Sequence, residues 1–154
     1  MPSESLLYGL IGYPVKHSLS ALMHNAAFEA CGIKAKYELF EVEPENLESF
    51  LVDRSDVAGF NITVPYKVKA KDILNRRFGI KNVPTISQEE EMAELAGAIN
   101  TVKRFPNLKF YNTDAAGFLA SLRFDLNFEP QGKTVFVLGC GGAGRAVIAA
   151  LLLA

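Results

Sequence analysis

The stretch FNITVPYKV, Phe60 to Val68, carries an apolar run into a polar turn and then to a lysine, and two later segments behave alike. INT at Ile99 to Thr101 and YNTDAAG at Tyr111 to Gly117 also finish strand-like runs with amide, hydroxyl or carboxylate side chains. Strands that end this way gather their polar residues along one edge of a sheet. Such a cluster suits a small polyhydroxylated ligand. Around these segments short strand-like runs alternate with amphipathic helical ones, the pattern of an α/β sheet with helices packed on its faces.

Leu6 to Ile11 reads as a buried strand that breaks at Gly12, Tyr13 and Pro14. Ser20 is expected to cap a helix with Leu22, Met23, Ala26, Ala27, Ala30 and Cys31 as its apolar stripe and Gly32 as its stop. Ala35 to Val42 and Val57 to Val64 read as further strands. Between them, Pro44 to Val52 reads as a helix with proline at its start and Leu47, Phe50 and Leu51 turned inward. Pro65 is expected to open the next helix, placing Lys67 in its first turn. Asn75 to Thr85 fits neither period. Ser87 and Glu90 form an S-x-x-E capping box ahead of Met92, Leu95 and Ala96. Ala98 to Arg104 and Leu108 to Tyr111 read as two strands about a turn at Pro106 and Asn107. Thr113 is expected to cap a helix to about Arg123, with Phe118, Leu119 and Leu122 on one side.

With 154 residues, 49% of them hydrophobic, the chain can build one substantial core and part of a second. Sixteen Lys and Arg stand against seventeen Asp and Glu, a net charge of −1 with no basic block, which argues against a nucleic-acid partner. Cys31 and Cys140 make neither a disulfide framework nor a metal-binding pair. The N-terminus lacks the form of a leader, and no apolar run is long enough to cross a bilayer. A soluble cytoplasmic protein is expected. Two isolated histidines and no carboxylate cluster at ligand spacing argue against a metal. His17 reads as an exposed turn residue, His24 as structural, and Tyr13 and Tyr66 as walls of the polar site.

After the polar connection Glu129 to Lys133, Thr134 to Leu138 is a continuous apolar strand. It runs into Gly139-Cys140-Gly141-Gly142-Ala143-Gly144 and then an Ala- and Leu-rich helix. The G-x-G-x-x-G pattern in this context fits dinucleotide binding: Gly139 for the tight turn, Gly141 for approach of a pyrophosphate, and Gly144 for packing helix on strand. The helix N-terminus would present its free N–H groups to the phosphates. A dinucleotide fold needs more strands, and the residue that reads the ribose belongs about 20 residues past the glycines, beyond Ala154. A fragment of a longer chain is therefore expected, since an unpaired VFVL strand invites aggregation.

GYPVKHSLSALMHNAAF, NITVPYK, AINTV, YNTDAAGF and GCGGAGRA, in that order, resemble the shikimate dehydrogenases from about Leu7 to the last residue. The resemblance implies a three-layer αβα substrate-binding domain with a mainly parallel sheet over residues 1–112. A linker helix and connection over 113–130 and the first βα unit of a Rossmann-like domain over 131–154 complete it. It implies reversible, NADPH-dependent reduction of 3-dehydroshikimate to shikimate, with NAD as the alternative cofactor, by a monomer or homodimer. A sister enzyme acting on quinate or an aminated shikimate is the alternative, as is a non-catalytic shikimate-binding module. Ala21 departs from the family's usual proline, and the spacing from Lys67 to Asn100 is longer than usual, as if Asn75 to Thr85 held an insertion.

Residue by residue, the resemblance assigns Ser18 and Ser20 to the substrate carboxylate, and Asn61, Thr63 and Asn100 to its ring hydroxyls. On their own the serines read as turn and cap formers, and the asparagines as strand-end turn residues. Lys67 and Asp114 match the catalytic pair. Hydride arriving at a ketone leaves negative charge on its oxygen, which needs a proton donor or nearby cation, and Lys67 is the better candidate. Asp114, at the start of a helix, would orient Lys67 and a substrate hydroxyl. Gly139, Gly141, Gly142, Ala143 and Gly144 are left for the NADP phosphates.

Overall fold

The computed structural model describes residues 5–79 and 87–154. A five-stranded sheet in the order β2-β1-β3-β4-β5 organises the chain. β1 (Leu6–Gly12) lies between β2 (Ala35–Glu41) and β3 (Val57–Ile62), parallel to both, and the short β4 (Thr101–Lys103) and β5 (Lys109–Tyr111) add on antiparallel. The long strands lie side by side and are parallel, as the α/β reading expects. Their connections are helices: α1 (Ser20–Ala30) after β1, and α2 (Leu47–Asp53) after β2. Past β3 come α3 (Lys67–Phe78) and α4 (Gln88–Ala96), and past β5 come α5 (Thr113–Phe124) and α6 (Gly142–Leu152).

The sheet's period of two divides its side chains between two layers. Ile11, Phe60, Ile62 and Val102 pack with Leu47, Phe50 and Leu51 of α2 and with Ala70, Ile73 and Leu74 of α3 in the main core. Phe40, Phe50 and Phe60 form an aromatic row there, with ring centroids 5.1 and 5.7 Å apart. Tyr8, Leu10, Tyr37 and Leu39 occupy the opposite face beneath α1. A third cluster joins Met92 of α4, Ala115 and Leu119 of α5, and Ala146 and Ala150 of α6. Burying each large apolar side chain contributes about 1.5–3 kcal/mol, so the α2 and α3 layer carries most of the stabilisation.

Several expectations need correction. The stripe expected on α1 points outward: Leu22 and Met23 are 72% and 60% exposed. The face on the sheet is instead Ala21, His24, Asn25 and Phe28, spaced i, i+3, i+4, i+7, with His24 stacked on Tyr37 at 4.3 Å and Asn25 bonded to the Tyr37 backbone. Leu95 of α4 is also exposed. Ser20 is the first residue of α1, not its cap; Leu19 takes the cap position without a side-chain bond. Asn112 rather than Thr113 caps α5, its Oδ1 accepting from Ala115 N. Pro65 precedes α3 by two residues, with Tyr66 at the cap, and α2 begins at Leu47 rather than Pro44. Tyr66 is no pocket wall: it is buried in the core and donates to Val42 O at 2.6 Å.

The capping box at Ser87 and Glu90 is present in both directions. The proposed insertion lies partly in α3, which continues to Phe78, and its residues 80–85 fall outside the described residues. Residues 134–138 make no ladder with any described strand, and Phe136 and Leu138 are 86% and 87% exposed. Among the described residues no helix is long and apolar enough to cross a membrane.

Candidate active site

Three backbone junctions bring the polar segments together at the end of β3. Ile62 N donates to Asn100 O at 2.8 Å, Ile99 N to Lys67 O at 2.9 Å, and Asn100 N to Tyr111 O at 3.0 Å. Gly97, at φ 60°, ends α4 in the left-handed region that favours glycine and turns the chain into Ala98 to Asn100. Asn112, fully buried, donates to Ala98 O at 3.0 Å while capping α5. These bonds place Lys67, at the start of α3, opposite Asp114 in the first turn of α5.

Lys67 Nζ meets Asp114 Oδ2 at 2.5 Å, with the lysine side chain 16% and the aspartate side chain 36% exposed. Asn100 Nδ2 donates to the other carboxylate oxygen at 2.8 Å and to Thr113 Oγ1 at 2.8 Å. Its Oδ1 accepts from Thr113 N and from Thr101 Oγ1, both at 3.0 Å. Asn61 joins through Thr101, donating to Thr101 Oγ1 at 3.0 Å, and accepts from Tyr37 O–H at 2.7 Å. Burial raises the Tyr37 phenol to about 12. The structure thus joins four of the expected residues, Lys67, Asp114, Asn100 and Asn61, in one network. Such a pair can deliver a proton and hold a neighbouring hydroxyl.

Ser18 and Thr63 meet in a second place, a cleft of about 400 Å³ lined also by Tyr13, Val15 and His17. Ser18 Oγ donates to Ser20 Oγ at 3.0 Å and accepts the Ser20 N–H at 3.2 Å, so two hydroxyls are presented side by side. The loop is braced by Glu41, which accepts from Val15 N at 3.2 Å and pairs with Lys16 at 3.0 Å. The Lys16 ammonium and the Val15 N–H hold the Glu41 carboxyl below its ordinary range. His17 is exposed at this cleft, whereas His24 is enclosed in aromatic packing.

The glycine loop stands against the same lysine. A Cβ on Gly142 would lie 2.8 Å from Lys67 Cβ and 3.0 Å from its Cδ. Gly139 has φ 98°, whereas nothing lies within 4 Å of a Cβ built on Gly141. A Cβ on Gly144 would collide with Gly139 O, so this glycine closes the turn on itself and Val137 is only in ordinary contact. Ala143 follows in the first turn of α6, whose N-terminus has neither a side-chain cap nor an acidic residue. Open N–H groups and free space at Gly141 fit a phosphate-bearing cofactor.

Thr101 and Tyr37 carry no role in the sequence reading, and Thr113 only that of a helix cap. Thr101 and Thr113 stood in the quoted motifs, and their spacing beside Asn100 and Asp114 was the available signal. Tyr37 lies in an ordinary strand and carried none.

Comparison with known proteins shows the family of the chain. The family model for the shikimate dehydrogenase substrate-binding domain matches residues 10–102. An NADP(+) shikimate dehydrogenase of Geobacter sp. (strain M21) is 46% identical over 149 residues, covering 95% of this chain and 47% of the relative. A Thermus thermophilus shikimate 5-dehydrogenase, solved in complex with shikimate, superimposes with TM-score 0.73 at 37% identity, over 96% of this chain and 52% of that one. A shikimate dehydrogenase solved with NADP+ gives TM-score 0.76 at 34% identity, over 96% and 48%. The chain spans about half the length of these proteins. Sequence match, fold and the order of the polar segments agree, and the chain belongs to the shikimate dehydrogenase family.

Proposed function

We propose that this chain is the substrate-binding half, with the opening of the nucleotide domain, of an NADP-dependent shikimate dehydrogenase that interconverts 3-dehydroshikimate and shikimate. The observation that carries the reading is the Lys67–Asp114 ion pair standing against the glycine loop. Residues 1–112 form the substrate unit, 113–130 the connection and 131–154 the first βα unit; the family match at 10–102 falls inside the first. A reducing cytoplasmic setting goes with this assignment, both cysteines being free and exposed.

Ser18 and Ser20 offer paired hydroxyls to the substrate carboxylate, next to the N-terminus of α1. Thr63, Asn61 and Asn100 face the ring hydroxyls. Lys67 Nζ supplies the proton, or the balancing cation, to the ketone oxygen as charge develops there, and Asp114 Oδ2 holds that ammonium in place. NADPH supplies the hydride when bound. Gly139 and Gly141 leave room for its phosphates, and Gly142, Ala143 and Gly144 at the start of α6 offer them N–H donors.

The test is calorimetric titration of the 154-residue chain with shikimate, followed by an NADP+ reduction assay on the same sample and on a chain of the relatives' full length. Shikimate binding by the short chain, with turnover only in the long one, is the expected result. A full-length chain that binds shikimate but never reduces NADP+ would overturn the assignment in favour of a binding module.

A further inference from the structure

The side-chain hydrogen bonds from the α1 face of the sheet to the ion pair have a fixed sense. Two backbone groups set it. Thr113 N–H can only donate, and it donates to Asn100 Oδ1, so the Asn100 NH2 must face Thr113 Oγ1 and Asp114 Oδ1. Asn100 C=O can only accept, and it takes Asn61 Nδ2 at 3.4 Å, so the Asn61 NH2 faces β4. Thr101 Oγ1 lies between the amides, accepting from Asn61 Nδ2 and donating to Asn100 Oδ1. Asn61 Oδ1 is then left pointing at Tyr37, and the phenol O–H answers it at 2.7 Å.

We infer that Tyr37 and Thr101 are positioning residues of this site, locking the Asn61 and Asn100 amides in one orientation and, through Asn100, the carboxylate of Asp114. Neither touches the reacting atoms. Tyr37 is suited to the task because it hardly moves: it is 4% exposed, its ring is stacked on His24, and Asn25 brackets its backbone with bonds to both N–H and C=O. Its raised phenol stays protonated through the neutral range and remains a donor. Without that O–H, Asn61 Oδ1 loses its donor in a half-buried place, and the amide is held from its NH2 end alone, by Asn100 O at 3.4 Å and Thr101 Oγ1 at 3.0 Å. Without the Thr101 hydroxyl, the two amides no longer communicate. A ligand bearing several hydroxyls depends on this sense, since each must meet a donor or an acceptor already in place. The inference rests on the proposed shikimate site.

Tyr37→Phe, Thr101→Val and Thr101→Ser test it in the 154-residue chain, with circular dichroism to check folding. Shikimate affinity is read by calorimetry, and the Asn100 side-chain amide signals by NMR. Tyr37→Phe and Thr101→Val are each expected to weaken binding about tenfold, the worth of one hydrogen bond, and to move the Asn100 signals. Thr101→Ser, which keeps the hydroxyl, leaves both near the wild type. Lost packing at Tyr37 alone would weaken binding without moving the Asn100 side chain, which it reaches only through Asn61 and Thr101; Thr101 bonds Asn100 directly, and there Thr101→Ser separates the hydroxyl from the packing. Either readout unmoved in Tyr37→Phe and Thr101→Val overturns the inference. Should Tyr37→Phe fail to fold, the Thr101 pair decides. Should the wild-type short chain not bind shikimate, affinity is read in a chain of the relatives' full length, where failure to bind defeats the functional reading, and the Asn100 signals settle the inference: displaced supports it, undisturbed overturns it.

Discussion

Adding one methyl group at Gly142 tests the meeting of the glycine loop with Lys67. The Cβ of Gly142→Ala would stand 2.8 Å from Lys67 Cβ, 3.0 Å from Cδ and 3.3 Å from Cγ, where ordinary contact begins near 3.4 Å. Lys67 Cβ is fixed to the backbone of the first residue of α3, so rotating the side chain cannot relieve the closest contact. Either α3 or α6 must yield, and α6 is held by Ala146, Ala149 and Ala150, all essentially inaccessible to solvent. Overpacking of this kind costs about 1–3 kcal/mol. Gly117→Ala is the contrast: it lies within α5, nothing stands within 4 Å of its added Cβ, and helix propensity alone predicts stabilisation of about 1 kcal/mol. Urea denaturation of both variants should give opposite signs, with the Gly142→Ala chain also losing shikimate affinity as Lys67 is displaced. A Gly142→Ala chain as stable as Gly117→Ala would refute the contact.

Three further outcomes follow from the same geometry. In a chain of full length, Lys67→Ala is expected to lower kcat at least about 100-fold while shikimate affinity changes less, and a near-normal kcat removes Lys67 from the reaction. Asn112→Ala loses the α5 cap and the donor to Ala98 O, and is expected to cost about 2–3 kcal/mol in urea denaturation; a cost below about 0.5 kcal/mol would mean the cap holds nothing. Tyr37 is raised from 10.0 to about 12, so its stabilisation is whole below the unfolded value and falls away as pH rises through that window, by roughly 2–3 kcal/mol. The wild type should therefore lose stability more steeply than Tyr37→Phe between about pH 10 and 12, and parallel curves would contradict the burial of the phenol.

The long strands and the helices between them were legible because apolar runs and their breaks are local signals. The Ser87 box was legible for the same reason: both partners lie three residues apart. The face of α1 was not, because two of its four inward positions are His24 and Asn25, and a count of apolar residues favours the wrong side. Tyr66 misled in the same way, since a tyrosine beside a polar turn looks like a wall until its hydroxyl is seen to reach Val42 O across the core. Of the site, the motifs pointed to Lys67, Asp114, Asn100 and Asn61, which the fold joins. The intermediaries escaped: the bond from Tyr37 to Asn61 spans 24 positions, and nothing local marks it. The segment 134–138 has the composition of a strand, but a strand is a relation to a neighbour, and none of the described strands pairs with it.

The three backbone junctions that tie Ile62 to Asn100, Ile99 to Lys67 and Asn100 to Tyr111 make the ends of these segments one mechanical part. Shortening any of them by a residue would pull a carbonyl or an N–H out of register for the other two. A chimaera that exchanged residues 57–67 with those of a relative would therefore have to exchange 98–114 with them. The loop from 13 to 20 is braced by Glu41 on one side and tied on the other to the end of the 57–67 segment, where Tyr13 N donates to Val64 O at 3.2 Å, so it would have to travel with both. Recombination between relatives is thus expected to move these segments together, so that the Lys67–Asp114 pair and the Ser18–Ser20 loop are inherited as one block.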